Sequence, residues 1–233
     1  MKIGLFGYGK MGKMIEQIAL QRGHTIVSKV DVGATDIDYS NMDVAIDFST
    51  PDAAFNNITT CFEHNVPVIS GTTGWLERFD EALDVCKAKN GAFIYASNFS
   101  LGVNIFFELN SYLAKMMSSI DQYKVSMEEI HHTQKLDAPS GTAITLADGI
   151  IANTAYANWK LDEDGATTIP ITSKREGTVP GTHIINYQSA VDGLEIKHTA
   201  RNREGFALGA VIAAEWIKGK AGIFSMKDVL NLN

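Results

Sequence analysis

The residues that could do chemistry are concentrated in one stretch, EEIHHTQKLDAPSGTAITLAD, which begins at Glu128. Two adjacent histidines, His131 and His132, are followed by Lys135. An imidazole can donate or relay a proton near neutral pH, and a lysine can donate a proton or bind a carboxylate. This combination predicts a site that exchanges a proton with a bound anion.

A helix start follows these residues directly. Pro139 breaks the chain, and Ser140, Gly141 and Thr142 open an apolar helical pattern. The first N–H groups of a helix have no partners within it and carry a positive partial charge, so this start can bind a carboxylate. We interpret Ser140 as a helix cap and not as a nucleophile, because no Gly-x-Ser-x-Gly elbow surrounds it.

The histidine pair does not predict a metal site. In a strand, His131 and His132 point to opposite faces, and no His, Cys or acidic spacing nearby resembles a zinc motif. Taken alone, the pair would be one core histidine and one surface histidine. Lys135 and the helix start favour the catalytic interpretation instead.

The N-terminus carries a second chemical pattern, GYGKMG, whose glycines have G-x-G-x-x-G spacing. The pattern follows an apolar strand and opens a helix, which is the context that a dinucleotide-binding turn requires. Such a turn places a pyrophosphate at the helix N-terminus, and a glycine turn without a ligand is the alternative. The residues predicted to bind the cofactor here are Gly7, Tyr8, Gly9, Lys10, Met11 and Gly12.

An acidic residue at the end of the second predicted strand extends this pattern. Asp31 follows Gly12 by 19 residues and can accept hydrogen bonds from the ribose hydroxyls of an adenosine. A solvated strand end is the alternative interpretation. Asp31 would repel a 2′-phosphate, which slightly favours NADH, and Val32 adds no charge. Lys29 lies two residues back, so NADPH stays open as the cofactor.

Composition narrows the function further. The net charge of −7 argues against a nucleic-acid partner, because a phosphate backbone needs a basic surface. No apolar run reaches the roughly 20 residues of a membrane span, and no signal peptide is visible, so we expect a cytoplasmic protein without a membrane partner. A hydride-carrying cofactor beside a proton donor and an anion site predicts a reductase for a small anion with a C=C or C=N bond.

Strand and helix patterns alternate up to about Asn98, which indicates a parallel, doubly wound sheet. The sequence then changes to a long apolar helix, an alternating strand over DQYKVSMEEIHH, a polar loop over NWKLDEDGATT and a hairpin around VDG. The predicted fold class is α/β, with an N-terminal Rossmann-type parallel sheet domain followed by a smaller α+β domain.

The stretch from Glu129 to Ala143 matches the pattern E-x-H-H-x-x-K-x-D-A-P-S-G-T-A, by which the sequence resembles the 4-hydroxy-tetrahydrodipicolinate reductase (dihydrodipicolinate reductase) family. Further matching pieces are GYGKMG, DVAIDFSTP, GTTG, NFSLGVN, VPGTH and SMKDVLNL. The resemblance implies reduction of a cyclic dicarboxylate, 4-hydroxy-tetrahydrodipicolinate, to tetrahydrodipicolinate by NADH or NADPH. It places this reaction in the diaminopimelate route to lysine.

The resemblance also implies roles for individual residues. His131 is the implied catalytic acid/base, and Lys135 the proton donor that also holds the substrate. His132, Gly141 and Thr142 are implied substrate contacts. The implied contacts around the nicotinamide and its ribose are Gly71, Thr72, Thr73, Ser97, Asn98, Phe99 and Ser100.

The same resemblance implies a division of labour between two domains. Residues 1–99, completed by 204–233, would bind the dinucleotide. Residues 100–203 would form a domain with a mixed sheet that binds the substrate and joins four subunits into a homotetramer.

Two departures from the family pattern concern the cofactor. The glycine turn is one residue shorter than the common G-x-x-G-x-x-G form, and the usual acidic-Arg pair becomes Asp31-Val32. Two other functions stay open: a Rossmann dehydrogenase for an amino acid, and a nucleotide sensor without turnover. Since the chain is acidic, positive charge for a dianion must be local, from Lys135 and from Arg175 or Arg203.

Overall fold

A computed structural model describes residues 1–31, 34 and 37–232 of the chain. The described helices are α1 (Lys10–Gln21), α2 (Pro51–Glu63), α3 (Phe79–Ala88), α4 (Leu101–Met117), α5 (Gly141–Ile151), α6 (Glu204–Ile217) and α7 (Met226–Leu230). The described strands are β1 (Lys2–Phe6), β2 (Thr25–Val30), β3 (Val44–Asp47), β4 (Val68–Ser70), β5 (Ala92–Tyr95), β6 (Lys124–His131), β7 (Asn158–Leu161), β8 (Thr168–Arg175), β9 (Gly181–Gln188), β10 (Gly193–Ala200) and β11 (Gly222–Phe224). Within those ranges, no helix has the length and apolar character needed to cross a membrane.

These elements form two compact units, Met1–Leu101 with Glu204–Asn233, and Gly102–Arg203. The first unit is built on a six-stranded parallel sheet in the order β11-β5-β4-β3-β1-β2. The strand order reverses beside β1, since β2 lies on one side of it and β3 on the other. Ligands of such sheets bind at this reversal, outside the carboxyl ends of the strands. The predicted Rossmann-type parallel sheet is confirmed.

Helices cover both faces of this sheet. Ile3 and Leu5 of β1 share a core layer with residues of α1 and α6, whereas Phe6 shares the opposite layer with residues of α2 and α3. Because both faces are buried, β1 and β3 are almost continuously apolar rather than alternating. The helix and strand that follow residue 203 therefore complete the core of the first unit.

The second unit contains a five-stranded mixed sheet in the order β10-β9-β6-β8-β7. β6, β8 and β7 run parallel, while β9 pairs antiparallel with both β6 and β10. The predicted hairpin corresponds to β9 and β10. The predicted polar loop is wrong at its start, because NWKL forms the edge strand β7, a four-residue strand too short and too polar to show alternation.

The long strand β6 carries the site residues into this unit. Its residues are buried at every second position, and Val125 and Met127 face a core layer shared with α4 and α5. Glu129 and His131 continue this buried row towards the carboxyl end of the strand. Strand periodicity thus places an acid and an imidazole on the core side of the sheet.

Close packing of α6 against the chain near β5 generates a stability prediction. A Cβ on Gly209 would lie 1.8 Å from the carbonyl oxygen of Phe99, whereas one on Gly205 in the same helix would meet only the Ser100 hydroxyl, at 3.7 Å. Gly209→Ala should therefore lower the free energy of unfolding by about 1–3 kcal/mol, through overpacking.

Gly205→Ala is the matched control. It should be neutral or stabilise by up to about 1 kcal/mol, because alanine favours the helix and meets no backbone. Urea unfolding of both variants checks the pair. Equal effects of the two substitutions would contradict the close approach of α6.

Candidate active site

The glycine turn between β1 and α1 leaves room for a ligand. Gly7 has a φ of 87°, and a Cβ there would lie 2.2 Å from the carbonyl oxygen of Phe48. A Cβ on Gly12 would lie 2.3 Å from the Gly7 carbonyl oxygen, so both positions need glycine. Gly9 differs, because nothing lies within 4 Å of a Cβ there and its residue offers α1 no side-chain cap. Open space therefore faces the start of α1.

A cleft of about 550 Å³ lies beside this turn, at the reversal of strand order. Its volume is in the range of small-molecule sites. Of the predicted cofactor-binding residues, Gly7, Tyr8, Gly9 and Asp31 line it. The remaining lining residues are Val30, Ala34, Ile37, Phe48, Ser49, Thr50, Asp52, Ala53 and Asn57. Turn and cleft together fit the pyrophosphate and adenosine of a dinucleotide. Val32, which bears on cofactor preference, lies outside the described residues.

A buried carboxylate supports the cleft wall from behind. Asp47, at the carboxyl end of β3, is 1% exposed and accepts hydrogen bonds from the hydroxyls of Ser49 (2.6 Å), Ser70 (3.0 Å) and Thr72 (2.7 Å) and the amide of Asn57 (3.2 Å). Burial raises the pKa of Asp47, although these donors favour the charged form. The hydroxyl of Thr72, a predicted nicotinamide contact, is thus directed at Asp47.

The other predicted cofactor residues lie at the same edge of the sheet without lining the cleft. Gly71, Thr72 and Thr73 follow β4, and residues 97–100 follow β5. Phe99 is 1% exposed and packs in the core. The remaining residues differ in how exposed they are. Ser97, Lys10 and Thr73 are exposed, Asn98, Gly71 and Met11 are half-buried, and Ser100 and Gly12 are buried.

In the second unit, Glu129 organises the predicted catalytic stretch. It is 0% exposed and accepts hydrogen bonds from the backbone N–H of Ser140 (3.0 Å), the hydroxyl of Ser173 (2.9 Å) and the guanidinium of Arg175 (3.1 Å). The Nδ1 atom of His131 lies 3.3 Å from Oε2, outside direct hydrogen-bond geometry. Burial alone would raise the pKa of Glu129, but the facing His131 ring and the donors on Ser140 and Ser173 outweigh it and hold that pKa well below its usual range.

A second histidine, which the sequence interpretation missed, completes this cluster. His183 on β9 is 5% exposed, and its Nε2 lies 3.1 Å from the Ser140 hydroxyl and 3.8 Å from Glu129. Its ring meets the His131 ring edge-on at 5.1 Å. Burial, and then the charge of His131, lowers the pKa of His183 to about 4. The signal for it was the VPGTH segment, whose Gly181 leaves space beside His131 Nε2.

Lys135 lies on the loop after β6 and is paired. Its ammonium is 2.7 Å and 2.8 Å from the two carboxylate oxygens of Asp137, and hydrogen bonding to Lys135 lowers the pKa of Asp137. Arg175 donates to the backbone carbonyl of Asp137 at 2.7 Å, which ties the loop to β8. His132 is half-buried next to this loop. A ligand carboxylate at Lys135 would therefore compete with Asp137 for the ammonium.

The predicted anion-binding helix start is α5. Ser140 caps it as predicted, because its hydroxyl accepts from the backbone N–H of Ala143 at 3.2 Å. Gly141 is exposed, with nothing within 4 Å of a Cβ there, and Thr142 is half-buried. The start of α5 is therefore open to a ligand at Gly141.

Glu129, His131 and His183 also have the spacing of a metal site, with ligand atoms within 4.8 Å of one another. The electrostatics disfavour a cation here. Both oxygens of Glu129 already accept hydrogen bonds, and one of the donors is the positively charged guanidinium of Arg175. A cation would have to displace these donors or lie against a like charge. The cluster is better suited to holding a proton.

The low pKa of His183 predicts a pH dependence of stability. A histidine in the unfolded chain has a pKa of about 6.5. Between about pH 6.5 and pH 4, His183 therefore binds a proton in the unfolded chain but stays neutral in the folded one. Stability should therefore fall as the pH drops through this window, by about 2 kcal/mol between pH 8 and pH 5 from this group.

Urea unfolding of the parent chain and of His183→Asn at both pH values measures this term by difference. The variant should lose about 2 kcal/mol less stability than the parent over the same interval. Parallel pH dependences of the two proteins would contradict a buried neutral His183.

Comparison with known proteins follows the same division of the chain. Residues 1–99 match the family model described as dihydrodipicolinate reductase, N-terminus, and residues 102–230 match dihydrodipicolinate reductase, C-terminus. A 4-hydroxy-tetrahydrodipicolinate reductase of Christiangramia forsetii is 58% identical, over 99% of this chain and 98% of that protein. One of Neisseria meningitidis is 33% identical, over 94% of this chain and 84% of that protein.

Solved structures agree on the fold. A dipicolinate-bound dihydrodipicolinate reductase from Paenisporosarcina sp. TG-14 superposes with a TM-score of 0.78 at 22% identity, covering 97% of both chains. A probable dehydrogenase from Thermotoga maritima gives a TM-score of 0.60 at 11% identity, over 98% of this chain and 92% of that one. At identities of 22% and 11%, the two structures support the fold alone. The family models and the 58% identical relative cover almost the whole sequence, and they identify the family. The chain belongs to the dihydrodipicolinate reductase family.

Proposed function

We propose that this chain reduces 4-hydroxy-tetrahydrodipicolinate to tetrahydrodipicolinate with NADH or NADPH, in the biosynthesis of diaminopimelate and lysine. The name of the 58% identical relative supports this reaction. The observation that carries the proposal is the group around Glu129, where a held imidazole, a lysine and an open helix start lie on adjoining segments. Such a group can both protonate a substrate and bind its carboxylates.

The first unit would bind the cofactor. When bound, a reduced nicotinamide dinucleotide supplies the hydride. The turn at Gly7 and Gly9 and the start of α1 would hold its pyrophosphate, and Asp31 would accept from its ribose. Asp47 would act indirectly, by fixing Ser49, which lines the cleft, and Thr72, which follows β4.

The second unit would supply the proton. Glu129 faces Nδ1 of His131, which favours a proton on that nitrogen and leaves Nε2 beside Gly181 to exchange a proton with the substrate. His183 packs against His131 and stays neutral above about pH 4, so it adds no charge that would compete for Glu129. We infer that His131 and Lys135 are the catalytic groups.

Substrate carboxylates would bind at two places. One is the start of α5, at Gly141 and Thr142. The other is Lys135, once it releases Asp137. His132 would be a further substrate contact, as the family resemblance implies. Arg175 supports this region, but its guanidinium already serves Glu129 and the loop carbonyls, so we infer a structural role for it rather than direct binding. Arg203 is exposed and would at most add positive charge.

We further propose that the chain acts as a cytoplasmic homotetramer without a nucleic-acid or membrane partner. The family resemblance supports this, and α4 carries a stripe of about half-exposed apolar residues that a second copy would cover. The stripe consists of Ile105, Leu109, Tyr112 and Met116. Light scattering on the purified chain tests it, and a monomeric mass would refute the tetramer.

Loss of reduced-nicotinamide absorbance tests the reaction directly. With freshly generated 4-hydroxy-tetrahydrodipicolinate, the chain should oxidise NADH, and NADPH in parallel wells gives the cofactor ratio. If the cofactor binds but neither well loses absorbance, the chain is a nucleotide sensor. Amino-acid-dependent reduction of NAD without use of the dicarboxylate would identify an amino-acid dehydrogenase.

Removing both proposed catalytic groups should abolish most of the turnover. The variant His131→Ala with Lys135→Ala should lose at least about 10²-fold in kcat, since a single general acid contributes about 10²–10⁴-fold. Its dissociation constant for NADH should not change, because neither residue belongs to the nucleotide-binding unit. Near-normal turnover would refute the assignment.

Glu129 should act as a positioning residue. Glu129→Gln places an amide donor where His131 needs an acceptor, so kcat should fall roughly tenfold or more while the KM for the cofactor stays constant. Glu128→Gln is the matched control, because Glu128 is the neighbouring residue on β6 and pairs with Lys174 on the other face. Equal kcat values for the two variants would exclude a positioning role, and melting curves show whether both fold.

A further inference from the structure

Three side chains form a charged cluster behind one wall of the nucleotide cleft. Tyr8, between the first two glycines of the turn, lines the cleft. Lys29 on β2 donates to the Tyr8 hydroxyl at 3.1 Å, and its ammonium lies 4.6 Å from the centre of the tyrosine ring. Glu16 on α1 accepts from both, with its Oε1 atom 2.7 Å from the Lys29 ammonium and its Oε2 atom bonded to the Tyr8 hydroxyl. We refer to these residues as the Tyr8–Glu16–Lys29 cluster.

Glu16 engages the positive charge of Lys29. The Glu16 side chain is 18% exposed and that of Lys29 is 43% exposed, so the pair lies partly out of water. Hydrogen bonding to Lys29, and then to Tyr8, lowers the pKa of Glu16, and hydrogen bonding to Glu16 raises the pKa of Lys29. Both groups are therefore charged at neutral pH and compensate each other.

The cleft itself offers negative charge to its ligand. Its described lining residues include two carboxylates, Asp31 and Asp52, and neither lysine nor arginine. Lys29 belongs to β2, and Asp31 follows the end of that strand, two positions further on. Lys29 is the one lysine or arginine of β2, and it reaches the cleft through Tyr8, whose ring it contacts. A 2′-phosphate on a ribose at Asp31 would meet that carboxylate and find Lys29 already paired with Glu16.

We propose that Glu16 is a specificity-determining residue, which makes the site prefer NADH over NADPH by keeping Lys29 from a 2′-phosphate. This inference rests on the proposed function, since it concerns the cofactor of that reaction. Glu16 itself lies outside the set of residues that line the cleft, so it acts through Lys29. NADPH would bind well only after the Glu16–Lys29 pair had opened.

Calorimetric titration with NADH and NADPH in the absence of substrate tests the proposal. Glu16→Gln keeps the shape of the side chain and removes its charge. The ratio of the NADH to the NADPH dissociation constant should rise roughly fivefold, because a partly exposed lysine is released to bind the 2′-phosphate. In Glu16→Gln, the ratio of the kcat/KM for NADPH to the kcat/KM for NADH should rise as well. Adding Lys29→Met to this variant should abolish both rises.

Glu81→Gln is the matched control, since Glu81 makes an equally short ion pair with Arg78 in the same unit, at 2.7 Å. It should leave the ratio unchanged. An unchanged ratio in Glu16→Gln would overturn the proposal. So would a selective loss of NADPH binding in Lys29→Met alone, because Lys29 would then already serve the phosphate. If no variant and not even the parent chain binds either dinucleotide, the proposed function fails as well.

Discussion

A carboxylate held without any contact with water is the interaction on which the second unit depends. An unpaired charge at the position of Glu129 would cost several kcal/mol, so the surrounding chain must supply donors. Those donors come from β8 and from the start of α5, through Ser173, Arg175 and Ser140. Solvating one buried charge therefore fixes the position of the loop that carries the candidate lysine, and the stability of the region and the geometry of its chemistry have the same origin.

The first unit uses the same device for another purpose. Asp47 is also a buried acid at the carboxyl end of a strand, but its partners are neutral hydroxyls and an amide. Burial raises the pKa of Asp47, whereas Glu129, with charged and backbone donors, has a lowered one. Neutral donors around Asp47 are enough to fix the position of the residues beside the cleft. A permanent negative charge on Glu129 would stabilise a proton on the neighbouring His131.

The sequence alone predicted those features that depend on short runs of neighbouring residues. The glycine turn, the parallel sheet, the cap at Ser140 and the hairpin between β9 and β10 follow from short patterns, and the structure has them. The partners of Glu129 did not follow, because Glu129 meets His183 through the β6–β9 register, 54 positions along the chain. The pairing of Lys135 with Asp137 was equally hidden, since spacing does not reveal which way two polar side chains on a loop turn. The edge strand β7 has too few residues for periodicity to indicate it.

The contact between Lys135 and Asp137 gives the site a built-in competitor. Asp137 is 61% exposed, and both of its carboxylate oxygens bind the Lys135 ammonium. A simple monocarboxylate can only exchange one such contact for another and gains little. A ligand that also reaches the start of α5 gains a second anchor in the same event, and so offsets the loss of the internal pair. Discrimination against the common small carboxylates of a cell would thus come from a residue that never touches the bound ligand.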